Sequence, residues 1–272
     1  MSPIQQLLLG TGASAATAYV TDNLVFHLDA ADTNCYSGSG TTVNSLVNSH
    51  TNDNWGGMQW SSDSGGNTGG YFYVDGTQSS GLQFPYSTDF EMLNDGTNAI
   101  TAYTWEWWWY GDSSPASGGS VAGYIAFTRV TNTGKVSNSD LSALGGSYFP
   151  YRLSSGRERM IVKGASTSNT SFDSGHTWSG SRWMHHVITR SGNNLKLYID
   201  NASAISKNTT FSGSNNFSNS KKLNLLSYYI SSNGSDNKFD GRLGVMRFYQ
   251  GKTLTASEVE QNYNAEKSRY GH

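Results

Sequence analysis

The chain has 272 residues, a formal net charge of −2, 14% charged and 13% aromatic residues, 31 glycines and 4 prolines. This composition excludes a disordered polymer and a helix-rich bundle, and favours short strands joined by polar turns. A single cysteine, Cys35, excludes an intrachain disulfide, and no basic stripe of the kind that holds nucleic acid occurs.

Charge is unevenly placed. No Lys or Arg precedes Arg129, whereas eleven of the twenty acidic residues do. Either an acidic face meets a basic one in a neighbouring copy, or strands from both halves interleave in one fold and the charges mix. The second arrangement is the simpler. At this length a single large all-β domain is expected.

In chain order, residues 1–21 read as an uncharged, weakly patterned arm. The opening "MSPIQQLLLGTGASA" has no basic start, so a secretory signal is not expected, and no apolar run approaches the ~20 residues of a membrane span. "NLVFHLDAAD" reads as a strand with Leu24, Phe26 and Leu28 on one face and Val25 and His27 on the other. After a Gly/Ser loop, "WGGMQWSSDSGGNTGGYFYVDGTQSSGLQF" gives short strands between turns. "TWEWWWYGDSS" carries the strongest strand signal, with Trp105, Trp107 and Trp109 on one face and Glu106, Trp108 and Tyr110 on the other. Tryptophan on both faces predicts a central strand. "ITRSGNNLKLYID" predicts a tight hairpin around Ser191–Asn194. "TLTASEVEQNYNAEKSRYG" predicts one helix: Thr255 and Glu258 fit a capping box, Val259 and Tyr263 share a face, and Gly271 suits the stop.

The later segments add a resemblance. "WMHHVITRSGNNLKLYIDNASAI" followed by "FDGRLGVMRFYQGKTLTASEVEQNYNAEKSRYG" resembles the LamG-like branch of the concanavalin A-like lectin/glucanase jelly rolls. "LVFHLDAADTNCYSGSGTTVNSLV" and "YFYVDGTQSSGLQF" look like that family's first strands, so the likeness runs over roughly residues 22–271. It implies an all-β fold, a two-sheet antiparallel jelly-roll sandwich with a short C-terminal α-helix covering one edge or end. The domain would occupy 22–272 behind the arm at 1–21. The opening and closing segments together look most like versions carried by tailed bacteriophages as structural proteins.

The resemblance also frames the chemistry. Glycosidases of this fold set two carboxylates on one strand face. Here Glu106 stands alone among Thr104, Trp108 and Tyr110, and the family's E-x-D-x-x-E type strand is missing, so no catalytic residues and no enzyme activity are expected. Members that hold Ca²⁺ often carry Asp where this chain has Gly244. Asp29, Asp32 and Asp240 are alternative oxygen donors, but they better suit turn caps, so no metal and no cofactor are expected. His185 and His186, adjacent in a strand, point to opposite faces and cannot chelate together. The family pattern implies a core hydrogen bond for His186. Aromatics in "GGYFYVDG", "GGSYFPYR" and "LLSYYISS" are surface candidates.

Function is therefore expected to be non-enzymatic. The first expectation is a phage virion structural protein on the virion exterior, as a capsid decoration, tail-fibre or spike component. Its partners would be other virion proteins and copies of itself, with a host cell-surface glycan as a further partner and neither nucleic acid nor membrane insertion. The alternative is a stand-alone bacterial lectin-type carbohydrate-binding module. The expected glycan or partner surface is Trp108 and Tyr110, with Glu106 beside them as a lone polar group in need of a hydrogen-bond partner.

Overall fold

The computed structural model describes residues 18–62, 69–75, 81–91, 99–111, 182–202, 205–208, 222–226 and 240–272. It also describes the strand backbones at 128–130, 135–137, 150–152, 157–163, 169–177, 228–230 and 236–237; for Asp75 and Asp240 too, only the backbone is described. Of the expected arm, residues 1–17 lie outside this set.

Among the described residues there are seventeen strands: β1 (Leu24–Asp29), β2 (Gln59–Ser61), β3 (Tyr71–Asp75), β4 (Leu82–Phe84), β5 (Ala102–Gly111), β6 (Thr128–Val130), β7 (Lys135–Ser137), β8 (Pro150–Arg152), β9 (Arg157–Lys163), β10 (Asn169–Thr177), β11 (Arg182–Ser191), β12 (Asn194–Ile199), β13 (Ile205–Asn208), β14 (Lys222–Leu225), β15 (Tyr228–Ile230), β16 (Asp236–Asn237) and β17 (Asp240–Gln250). One α-helix among the described residues, α1 (Ala256–Glu266), follows, continued by a 3₁₀ turn at Lys267–Tyr270. The large sheet runs β13-β12-β11-β5-β17-β3-β2, and β1 also pairs with β17. Three short sheets complete the fold, β10-β9-β8, β4-β14-β6 and β16-β15-β7. Among the described strands pairing is antiparallel, apart from a parallel β15–β7 contact.

Strand β5 lies between β11 and β17, the central position that tryptophan on both faces predicts. Trp105, Trp107 and Trp109 enter the main core with Phe26, Leu28, Met184, Ile188 and Phe248. Leu82, Phe84, Leu223 and Leu225 of the β4-β14-β6 sheet close that core from the opposite layer, which makes the sandwich. His186 lies on this inner face, where its Nδ1 accepts a hydrogen bond from Trp109 Nε1 at 2.7 Å, as the family pattern implies.

Two bulges re-aim the chain. In β1 the register shifts between Leu24 and Phe26. Leu24 therefore belongs to a second cluster with Val187 and Tyr249, while Val25 packs on the main core beside Phe26. The simple alternation read from the sequence fails at Leu24 and Val25 because a bulge puts successive residues on one side. In β17 the register to β5 shifts between Leu243 and Val245. There β17 passes from pairing with β3 to pairing with β1.

Local signals are realised as local structure. The hairpin turns at Gly192, which takes φ +58°, with Ser191 paired to Asn194. Thr255 and Glu258 form a reciprocal capping box. The charge asymmetry is resolved by interleaving: Glu106 pairs with Arg247, Asp29 with Arg269, Asp22 with Lys252 and Asp53 with Lys222. Each pair joins an acid of the first half to a base of the second.

Candidate functional site

The outer face of the large sheet, opposite the main core, is laid out in rows by strand register. The first row runs Trp183 (β11), Tyr110 (β5), Arg242 (β17), Tyr73 (β3) and Gln59 (β2). The second holds His185, Trp108 and Val245; the third Val187, Glu106, Arg247 and His27; the fourth Thr189, Thr104 and Tyr249.

The C-terminal segment lies over the second to fourth rows. The expectation that α1 covers an edge or an end is thereby corrected: it packs on the sheet face. Tyr270 stacks on Trp108 with ring centroids 4.4 Å apart, and Tyr263 stacks at 5.7 Å. Trp108 is 0% exposed. The expectation that Trp108 offers a surface for a glycan is corrected for the same reason, since its ring faces are occupied by the chain's own tyrosines.

Glu106 is not a lone polar group. Its Oε1 meets His185 Nε2 at 2.9 Å and Arg247 at 3.2 Å, and its Oε2 accepts from Asn262 Nδ2 at 2.6 Å. Arg247 also pairs with Glu266 on α1 and lies over the Tyr19 ring, 4.1 Å from its centroid. Asn262 Oδ1 accepts from the Val20 N–H at 2.8 Å, and the Tyr249 hydroxyl donates to the Val20 carbonyl at 3.0 Å. The helix, the last residues of the expected arm and the sheet are stitched together at this one cluster. Burial alone would raise the Glu106 carboxyl; Arg247, with His185 and Asn262, outweighs it and holds the pKa at about 2. The carboxylate is thus held ionised near neutral pH, sealed under the helix and out of contact with solvent.

The first row is left half-open. Tyr110, Arg242, Tyr73 and Gln59 are each partly exposed, and Trp183 is 7% exposed. The Arg242 guanidinium sits over the Tyr110 ring at 4.4 Å and over the Tyr71 ring at 5.0 Å. The Tyr73 hydroxyl donates to Gln59 Oε1 at 2.7 Å, and Trp183 meets Tyr110 edge-on at 5.7 Å. Tyr110 is thus the expected site residue that the fold leaves accessible. Tyr73 fulfils the surface reading of "GGYFYVDG"; the side chains of the other two aromatic clusters lie outside the described residues. Arg242 and Trp183 were not anticipated, because their adjacency to Tyr110 is a matter of register between strands far apart in sequence.

The alternative oxygen donors are otherwise employed. Asp29 accepts from the Ala31 N–H and holds Arg269 through both guanidinium nitrogens, at 2.6 and 2.8 Å. Asp32 accepts from the Asn34 N–H at 2.8 Å. Both cap turns. The Asp240 side chain is outside the described residues. Among the described residues no cluster of three or more His, Cys, Asp or Glu is placed to hold a metal ion, and no helix is long and apolar enough to cross a membrane.

Comparison with known proteins agrees with this architecture. No curated protein sequence matches the chain. Domain 4 of AbnA, a GH43 extracellular arabinanase from Geobacillus stearothermophilus, in complex with arabinotriose, aligns with a TM-score of 0.53 and 14% identity over 89% of this chain and 98% of that one. Botulinum neurotoxin type C, whose cell entry depends on interaction with two ganglioside molecules, aligns at 0.56 and 13% identity, covering 89% of this chain and 51% of that one. Trypanosoma rangeli sialidase in complex with 2,3-difluorosialic acid aligns at 0.57 and 13% identity, covering 92% and 34%. The chain spans about half the length of the neurotoxin chains it matches. Identities this low show a shared fold alone. A family model matches residues 86–260, from before the tryptophan strand to the first turns of α1, and the chain belongs to that family, Laminin_G_3 of the concanavalin A-like lectin/glucanases superfamily.

Proposed function

We propose that the protein is a non-enzymatic carbohydrate-binding domain, and that the half-open row Trp183–Tyr110–Arg242–Tyr73–Gln59 is its glycan surface. The observation that carries this reading is the row itself. Two partly exposed tyrosines flank a guanidinium on one face of the sheet, offering ring surface for pyranose C–H groups and donors for hydroxyls. Five strands about 4.8 Å apart give a row roughly 19 Å long, room for a short oligosaccharide. The arabinotriose complex and the ganglioside dependence noted above support glycan contact as a use of this fold in those proteins. The absence of a second carboxylate facing Glu106 on β5, and its burial, support a role without hydrolysis.

A glycan array followed by calorimetry tests the proposal. Saturable binding that falls at least tenfold in Tyr110→Ala and in Arg242→Ala is expected, with no release of reducing sugar. An array without hits, or binding indifferent to both substitutions, overturns it. Turnover of a β-glucan that is lost in Glu106→Gln would replace it with a hydrolase.

We further propose that this domain works on the exterior of a phage virion, assembled with other virion proteins and with copies of itself. What supports this is the resemblance of the opening "LVFHLDAADTNCYSGSGTTVNSLV" and closing "QNYNAEKSRYG" segments to phage structural proteins. Mass spectrometry of purified virions tests it: absence from the particle, with a monomer at high concentration, sinks the assembly reading and leaves the lectin-type module.

A further inference from the structure

At the opposite end of the outer face, beyond the Thr189–Thr104 row, a cleft of about 350 Å³ opens between the β11–β12 hairpin and the start of α1. Its volume falls in the range of small-molecule sites. The floor is apolar, made by Tyr198 and Leu254 of the second cluster. The walls carry the hydroxyls of Thr189, Ser191 and Thr253 and the amide of Asn194. Lys196, opposite Thr189 in register, stands exposed at the wall.

The charge lining this cleft is of one sign. No Asp or Glu lines it. Among the described residues the Lys196 ammonium makes no ion pair, and the Tyr198 hydroxyl has no hydrogen-bond partner. Glu258, at the start of the helix, has its carboxylate tied to Lys252 and to the Thr255 N–H. The Asn194 amide is steadied by Asn208 at 3.1 Å.

We infer that this cleft is a second binding site and takes one anionic sugar unit, a pyranose bearing a carboxylate. The ring's apolar face lies against Ala256 and the rim of the Tyr198 ring, its hydroxyls meet the Ser191, Thr253 and Asn194 side chains, and its carboxylate meets Lys196. That a sugar carries the anion rests on the carbohydrate reading above; that the ligand is anionic does not.

The test is a titration of the isotopically labelled full chain with glucuronic acid, glucose and acetate, followed by amide chemical shifts. Glucuronic acid is expected to give saturable shifts over Thr189–Tyr198 and Thr253–Ala256, with glucose and acetate at least tenfold weaker. Lys196→Gln, a change on an exposed strand position, should reduce glucuronic acid to the level of glucose and leave binding at Tyr110 unchanged. Equal affinity for glucose, or no loss in Lys196→Gln, overturns the anionic specificity. Acetate binding as tightly as glucuronic acid overturns the sugar class. Silence at the cleft while glycans still bind at Tyr110 overturns the second site alone, whereas loss of all sugar binding overturns the carbohydrate reading itself.

Discussion

A Cβ atom added to Gly244 would lie 2.2 Å from the Tyr270 hydroxyl oxygen and 2.7 Å from its ring. Glycine stands at the β17 bulge because the C-terminal tyrosine lies directly on the backbone there. The ring cannot easily retreat, being stacked on Trp108 and met at a tilt by Trp183. The space a side chain at position 244 would need is here filled by an aromatic ring.

Gly244→Ala should destabilise the fold by about 1–3 kcal/mol through overpacking, read by urea unfolding. Tyr270→Phe should be close to neutral alone, since the hydroxyl is buried without a partner among the described residues. Combined, the two should cost less than the sum of the single changes, because Phe removes the nearest clashing atom. Strict additivity would refute direct contact.

Breaking the buried cluster should be costly. Arg247→Met leaves Glu106 and Glu266 facing each other without their shared cation, and a loss of about 3–5 kcal/mol is expected. Asn262→Ala should cost less but should loosen the helix, seen as faster amide exchange over 256–270. Neither change touches Tyr110, so a variant that remains folded should bind glycan as before.

The protein should lose stability in acid in two steps. Burial, and then Arg247, hold the His27 pKa at about 3 instead of 6.5, while Asp29 and Glu106 only partly oppose this. Below pH 6.5 the unfolded chain gains a proton that folded His27 refuses, so stability falls by about 1.4 kcal/mol per pH unit from this group. Glu106 stabilises the fold fully above pH 4.5, and that contribution is lost as pH falls towards 2. In His27→Leu the slope between pH 6.5 and 4.5 should flatten by one proton. An unchanged slope would assign the acid sensitivity elsewhere.

Chelator should leave the melting temperature unchanged. A fall beyond about 2 °C, roughly 1 kcal/mol at this chain length, would establish a bound cation.

How much of this was legible in the sequence depended on distance along the chain. The capping box at Thr255 and Glu258, the turn at Gly192 and the two faces of β5 rest on residues within a few positions of one another, so pattern sufficed. The partners of Glu106 were not legible, because Arg247 and Asn262 arrive from more than a hundred residues away and only register brings them together. Trp108 was misplaced for a related reason. Alternation says that a residue leaves the main core, but not that another segment returns to cover it. The amphipathic stripe of α1 showed that the helix packs on something, without an address. Leu24 and Val25 went astray because a bulge leaves no composition signal in "NLVFHL".

The placement of β17 between β5 and β1 also governs when the protein can fold. Strand β5 has β11 on one side, but its other neighbour begins at Asp240. On a ribosome the tryptophan strand must therefore wait, one edge open, until residues 240–250 have been made. Its lid, α1, comes later still. Until then Trp108 and Val245 have no cover, and the half-made chain presents its most adhesive surface to the cell. The same late-arriving segment that completes the core makes synthesis the moment of greatest exposure to misassembly.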